Sequence, residues 1–312
     1  MQKGLFEGKT PFVQLILTAF AMITCGLLLM FMGMFFIPLV ENVSLPDIIT
    51  GKVNIAEHLP IMRYLQVLQG ITLFIIPALL LGFLFSGSTV RYFSFCKTGP
   101  KIWFLYVFFV MVTIVPLINL MASLNEMIVF PEWLADWEAK FRAMEDAAAK
   151  TMEMFMGMNN INDLLFNIFM IALIPALGEE LIFRGVIQKI FVRWTGSVHA
   201  GVIIAAFLFS AMHMQFYGFF PRWLLGIMFG YLLIWGKSIW LPIFAHFVNN
   251  TMAVVVEYLS RKNIVDDGIS DYGSTVDAIP ITIIFTAVCG LLLLKIFREK
   301  RAMTGELTYD NP

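Results

Sequence analysis

Apolar runs long enough to cross a bilayer recur along the whole of this chain, and no other feature constrains its fold as tightly. A helix needs ~20 apolar residues to traverse the hydrocarbon core. Within that core every backbone N–H and C=O must find a partner, so only helices and closed barrels can span it. Apolar stretches read against charged breaks give eight candidate spans, near 12–39, 66–87, 102–122, 164–192, 198–218, 221–236, 239–258 and 279–296. The ~10-residue alternating segments of a membrane barrel are absent. The chain therefore reads as all-α, a polytopic membrane bundle of about eight transmembrane helices. No internal repeat or Gly/Ser linker divides it, so residues 1–312 form one membrane-embedded domain. Hydrophobic residues at 59% and charged residues at 14% exclude a soluble globular domain. The net charge of −1 offers no field for nucleic acid.

The first apolar run, about Phe12 to Val40, far exceeds the ~7–15-residue core of a signal peptide and is expected to stay as a span. Lys and Arg concentrate in the 88–101 loop (Arg91, Lys97, Lys101) and beyond the last span (Lys295, Arg298, Lys300, Arg301). That bias puts both termini in the cytoplasm of a multi-pass protein of the plasma membrane. Cys25, Cys96 and Cys289 stand singly, as small apolar packing residues. Pro131 opens an amphipathic stretch over about 131–156, where Trp133, Trp137, Phe141, Met144 and Ala148 recur at helical spacing. It is predicted to lie flat on the outer membrane interface. The polar tail after Arg301 is expected to be mobile.

Against this apolar background, Gly178-Glu179-Glu180-Leu181-Ile182-Phe183-Arg184-Gly185 puts two carboxylates and a guanidinium inside a span. Charged groups there are costly unless they are paired or face water, which makes them functional candidates. His213, His246 and Asn250 are further polar intrusions in neighbouring spans. At 1.5 Å per residue, Glu179 lies ~21 Å from the turn after its span, and His213 ~24 Å along the returning one. The two groups are thus expected at one depth across an antiparallel hairpin. His246 lies only ~10 Å into its span, so its entry turn must be recessed, as backbone lining a cavity can be. Asn250 shares its helical face.

Glu180 and Arg184 stand at i, i+4 with the acid first, the favourable order for an ion pair. Glu180 is therefore assigned a supporting role with Arg184, which leaves Glu179 for a cavity shared with His213. A poorly hydrated carboxylate is suited to general-base work. Glu179 and His213 are expected to deprotonate a water for attack on a carbonyl, with His246 and Asn250 donating to the oxyanion. The same groups offer a His2Glu set, Glu179, His213 and His246, for a single divalent metal such as zinc. No HExxH motif occurs, and the metal-free version is preferred. Two other classes compete. One is a proton-coupled transporter relaying protons through Glu179 and His213. The other is a non-catalytic scaffold or immunity protein that binds a peptide in the same cavity.

The order Glu179-Glu180-x-x-x-Arg184, Phe209-x-x-x-His213, His246-x-x-x-Asn250 resembles the three-motif signature of the CAAX-protease and bacteriocin-processing (CPBP, Abi) intramembrane peptidases. That group includes the Ras-converting prenyl endopeptidases. The resemblance covers about 164–258, and the first half of the chain carries no motif. It implies an eight-helix endopeptidase, of glutamate or metallo type, that cleaves a peptide or protein entering from the lipid bilayer. It also implies that Glu179 and His213 activate water, while His246 and Asn250 support the oxyanion. The prenyl-processing members open to the cytosol, whereas the charge bias here puts the site nearer the outer face. Either the topology is the reverse of the one the charge bias gives, or the substrate is other than a prenylated tail.

Overall fold

A computed structural model describes residues 3–266, 268 and 272–304. The polar tail past Thr304, expected to be mobile, and Asp267 and Asp271 of the last long loop lie outside the described residues. The main helices are α1 (Pro11–Met34), α2 (Leu59–Ser86), α3 (Lys101–Glu126), α4 (Ala135–Phe155), α5 (Ile161–Thr195), α6 (Val198–Ala211), α7 (Phe219–Gly236), α8 (Trp240–Arg261) and α9 (Ile279–Thr304). There are no strands among the described residues. The fold is an all-α bundle, as the apolar periodicity requires.

The expected count of eight spans is not reached on length and composition. Among the described residues six helices, α1, α2, α3, α5, α7 and α9, are long and apolar enough to cross a membrane. The 22-residue α8 is long enough but is interrupted by His246, Asn249 and Asn250. The fifth expected span, 198–218, is shorter than predicted. Its helix ends at Ala211 after 14 residues, and Met214 takes the left-handed conformation at φ 55°. His213 therefore sits beyond a helix end, in a loop.

Local chemistry fixes the boundaries that matter. The Ser197 hydroxyl accepts from Ala200 N–H to cap α6, and Gly196 at φ 66° stops α5 in the left-handed conformation a side chain disfavours. Those two residues make the tight α5–α6 hairpin. One apolar cluster joins α1, α2, α5 and α6 through Leu81, Ile182, Val186 and Phe209, and a second joins α3, α7, α8 and α9 through Val107, Phe229, Ala245 and Cys289.

Where α2 and α5 meet, both helices widen into π turns, at 71–75 in α2 and at 168–173 and 183–187 in α5. Such bulges re-aim side chains and recur at functional sites. The approach there is close. A Cβ on Gly178 would stand 2.7 Å from Cβ of Phe74, and one on Gly70 would stand 2.5 Å from Cγ2 of Ile174.

The stretch near 131–156 is helical, but its faces differ from the expected stripe. Trp133, Trp137 and Met144 point outward, the first 80% exposed. Its more buried positions run Leu134, Glu138, Phe141, Glu145 and Ala148. The inward face therefore carries two carboxylates, because the loop before α7 offers them N–H and O–H donors. Phe141 stacks on Phe216 with centroids 5.5 Å apart, Tyr217 N–H donates to Glu145 at 3.3 Å, and Tyr217 O–H reaches Glu138 at 3.5 Å.

Candidate active site

Adjacent residues on a helix point about 100° apart, and Glu179 and Glu180 use that divergence to enter different surroundings. Glu180 is fully buried, with Oε1 2.9 Å from Nη1 of Arg184 and 2.9 Å from Nδ1 of His246. The Arg184 contact is an ion pair rather than an aligned hydrogen bond, and Oε2 of Glu180 has no hydrogen-bond partner among the described residues. Nη2 of Arg184 donates to the Gly226 carbonyl at 3.2 Å, and the guanidinium lies over the Phe209 ring at 4.3 Å.

One turn further along α5, Gln188 repeats the pattern with the Gly230 carbonyl at 3.3 Å. Gly226 and Gly230 bring α7 close enough for both contacts. A Cβ at Gly226 would stand 2.9 Å from Cβ of Ala206, and one at Gly230 would stand 2.8 Å from Oε1 of Gln188. Small residues four apart are the usual way membrane helices approach.

Glu179 turns instead to a cavity of about 190 Å³, walled by α2, α5 and the loop after α6. Its lining includes Glu179, His213, Gln66, Gln69, Met170 and Ile174. At ~30 Å³ per water, the space corresponds to a handful of solvent molecules. Nδ1 of His213 lies 2.9 Å from the Phe209 carbonyl. A carbonyl only accepts, so Nδ1 carries the hydrogen and Nε2 of the neutral ring is left as an acceptor.

His246 stands behind Glu179, with Nε2 3.9 Å from Oε2 of Glu179. Its ring is stacked on Phe229 at 5.3 Å and meets Phe209 edge-on at 6.0 Å. The bond to the Glu180 carboxylate fixes hydrogen on Nδ1 and aims Nε2 at Glu179. Asn250 lies one turn further along α8. One N–H of its amide donates to the Ile171 carbonyl at 3.1 Å, in a π turn of α5, and its oxygen accepts from Asn249 at 3.1 Å.

The structure thus gathers Glu179, Glu180, Arg184, His213 and His246 at one level of the bundle, with Asn250 tying α8 to α5 beside them. His58 and His199 lie elsewhere, on Glu41 at 3.0 Å and Tyr231 at 2.6 Å. The three-ligand metal set does not converge. Among the described residues no three His, Cys, Asp or Glu side chains stand close enough together to hold an ion.

Three residues escaped the sequence reading. Gln66 and Gln69 reach the cavity from the first half of the chain, and their only signal was two carboxamides at i, i+3 in an apolar run. Arg222, in the first turn of α7, donates from Nη2 to Gln215 at 2.9 Å, while its buried Nη1 has no hydrogen-bond partner among the described residues. Its charge acts on Glu179 and on Glu145 of α4.

Fold and site together define a multi-pass helical membrane protein that keeps a compact acid, guanidinium and imidazole cluster inside its bundle. Residues 161–252 match the family model described as type II CAAX prenyl endopeptidase Rce1-like, which agrees with the family the motifs resemble. Two proteins of Bacillus subtilis (strain 168) are similar to this chain. One, named "Putative membrane peptidase YdiL", is 29% identical over 92 residues, which is 30% of this chain and 37% of that protein. The other, named "Uncharacterized protein YpbD", is 30% identical over 89 residues, 26% of this chain and 41% of that protein. The chain therefore spans well under half the length of either relative. No solved structure matches.

Proposed function

We propose that this chain is a membrane-embedded endopeptidase of the CAAX-protease type, hydrolysing a peptide bond with a water activated by Glu179 and His213. The observation that carries the reading is the divergence of the two acids. Glu180 is locked by Arg184 and His246, while Glu179 faces the cavity that His213 also lines. One carboxylate holds the frame and the other is left for chemistry.

In this reading Glu179 takes a proton from the water and the Nε2 lone pair of His213 orients it. The water oxygen adds to the scissile carbonyl, whose π electrons move onto oxygen. The tetrahedral intermediate collapses with cleavage of the C–N bond, and the proton held by Glu179 passes to the departing amine. The second N–H of Asn250 supports the oxyanion once turned toward the cavity, and His246 supports it through an Nε2–H that the ring carries as the imidazolium, its Nδ1–H staying on Glu180. Preorganised donors of this kind are worth roughly 10²–10³ in rate each. No step is routed through a metal.

The substrate is a peptide or protein segment entering from the bilayer of the plasma membrane. The family match and the relative named as a membrane peptidase both favour this class of activity. The test is cleavage of a broad peptide set by the purified full chain in nanodiscs. Glu179→Ala is expected to remove turnover without altering the thermal melt, and full activity in that variant would overturn the mechanism.

A further inference from the structure

A peptide inside a bilayer stays helical because its N–H and C=O groups have nothing else to bond. Hydrolysis in the cavity requires a stretch of that helix to unwind, and each freed polar group then needs a partner. The wall facing Glu179 and His213 holds two such partners. Gln66 and Gln69, three residues apart and so on one face of α2, both line the cavity. Neither carboxamide makes a hydrogen bond to another of the described residues.

Their surroundings are otherwise apolar, with Leu73, Phe74, Met170 and Ile174 in the same wall. Gln66 is half-buried and Gln69 exposed, so both carboxamides are accessible to a ligand within an otherwise apolar span. A carboxamide has the donor and acceptor of a peptide unit and no charge, so it matches main chain rather than an acidic or basic side chain. The π turn at 71–75 and the close approach at Gly70 follow directly, keeping this wall near the reacting side of α5.

We infer that Gln66 and Gln69 bind the main chain of an unwound substrate segment, pairing its peptide groups while the scissile bond sits against Glu179 and His213. This inference rests on the peptidase reading for its purpose, but its binding chemistry is separable from turnover. It makes the substrate class a locally extended, uncharged stretch recognised by backbone rather than by one side chain.

The test uses the full chain in nanodiscs and a fluorescein-labelled octapeptide of Val and Ala, together with the same peptide N-methylated at alternate residues. Methylation removes backbone donors and leaves the apolar side chains intact. Wild type is expected to bind the unmethylated peptide about tenfold more tightly than its methylated copy. The Gln66→Leu/Gln69→Leu variant should weaken binding of the unmethylated peptide about tenfold and bind the two probes alike.

Leucine suits a lipid-facing helix, and an unchanged thermal melt establishes that the variant is folded. Because the wild-type comparison needs no substitution, a variant that misfolds does not spare the inference from test. Equal binding of both probes by wild type, as an acyl chain or plain apolar contact would give, overturns it. So does an unimpaired double variant, or no binding by wild type up to about 1 mM. Backbone-selective binding with no peptide cleaved by wild type would overturn the hydrolytic reading and leave this inference standing.

Discussion

Oε1 of Glu180 lies 2.9 Å from Nδ1 of His246, although 66 positions separate the two residues in the chain. Through this contact the α5 carboxylate that takes no part in the proposed chemistry aims the α8 imidazole at the one that does. The same oxygen also faces Arg184 at 2.9 Å, so one atom organises three helices, since Arg184 in turn bonds the α7 carbonyl of Gly226.

Breaking that arrangement is expected to unfold the protein rather than merely slow it. Glu180→Ala leaves Arg184, 1% exposed, as an uncompensated buried charge. The expected loss is about 3–5 kcal/mol, read as a lower midpoint for unfolding in mixed micelles. Glu180→Ala combined with Arg184→Met should cost less than Glu180→Ala alone. A double variant that shows the two losses adding would refute the pairing as the source of the effect.

His213 gives a different signature. His213→Ala should leave the unfolding midpoint in place and lower kcat by about 10²–10⁴. Exogenous imidazole, small enough for a cavity of about 190 Å³, is expected to restore part of the rate. Unchanged kcat in His213→Ala would remove this residue from the chemistry.

The α7 glycines make a packing prediction. Gly226→Val places a side chain where a Cβ alone would stand 2.9 Å from Ala206 Cβ and 3.3 Å from Arg184 Nη2. Overpacking of this kind costs about 1–3 kcal/mol. Because the clash falls on Arg184, activity should decline together with stability, whereas Gly8→Val, in open space, should change neither.

Helix α4 carries a pH prediction. The Phe130 N–H, at 2.9 Å, and the Arg142 guanidinium, at 2.7 Å, hold the Glu138 carboxyl below its usual range. A depressed carboxylate contributes its stabilisation above the unfolded pKa, ~4.3 for Glu, and loses it as pH falls through the lower folded value. The hold on α4 should therefore persist at pH 5 and weaken only below about pH 4. Emission of Trp133 and Trp137 would report the release. Glu138→Gln should abolish the acid step, and an acid transition of the same size in that variant would refute the assignment.

Much of this molecule is legible along the chain because a bilayer reduces folding to a question of length and polarity. The spans over 102–122, 221–236 and 279–296 emerge as helices because unpaired backbone is forbidden in lipid. The ion pair of Glu180 with Arg184 was visible because i, i+4 spacing is a property of the helix itself. The helix of the fifth span stops at Ala211 although apolar character continues past it. Nothing local announced that Nδ1 of His213 would take the Phe209 carbonyl and that Met214 would turn left-handed.

Sequence alone determined the helical class and the order of the three motifs, since each depends only on the pattern along the chain. It left open which way each helix is rotated and which helices are neighbours. Those were decided by close approaches at Gly70, Gly178 and Gly226 and by the π turns of α2 and α5. Rotation is what turned Glu180 toward His246, Glu179 toward the cavity, and the Trp137 ring of α4 outward while its acids faced the Tyr217 loop. Residues far apart in the chain meet only through packing, and packing is a property of the assembled bundle.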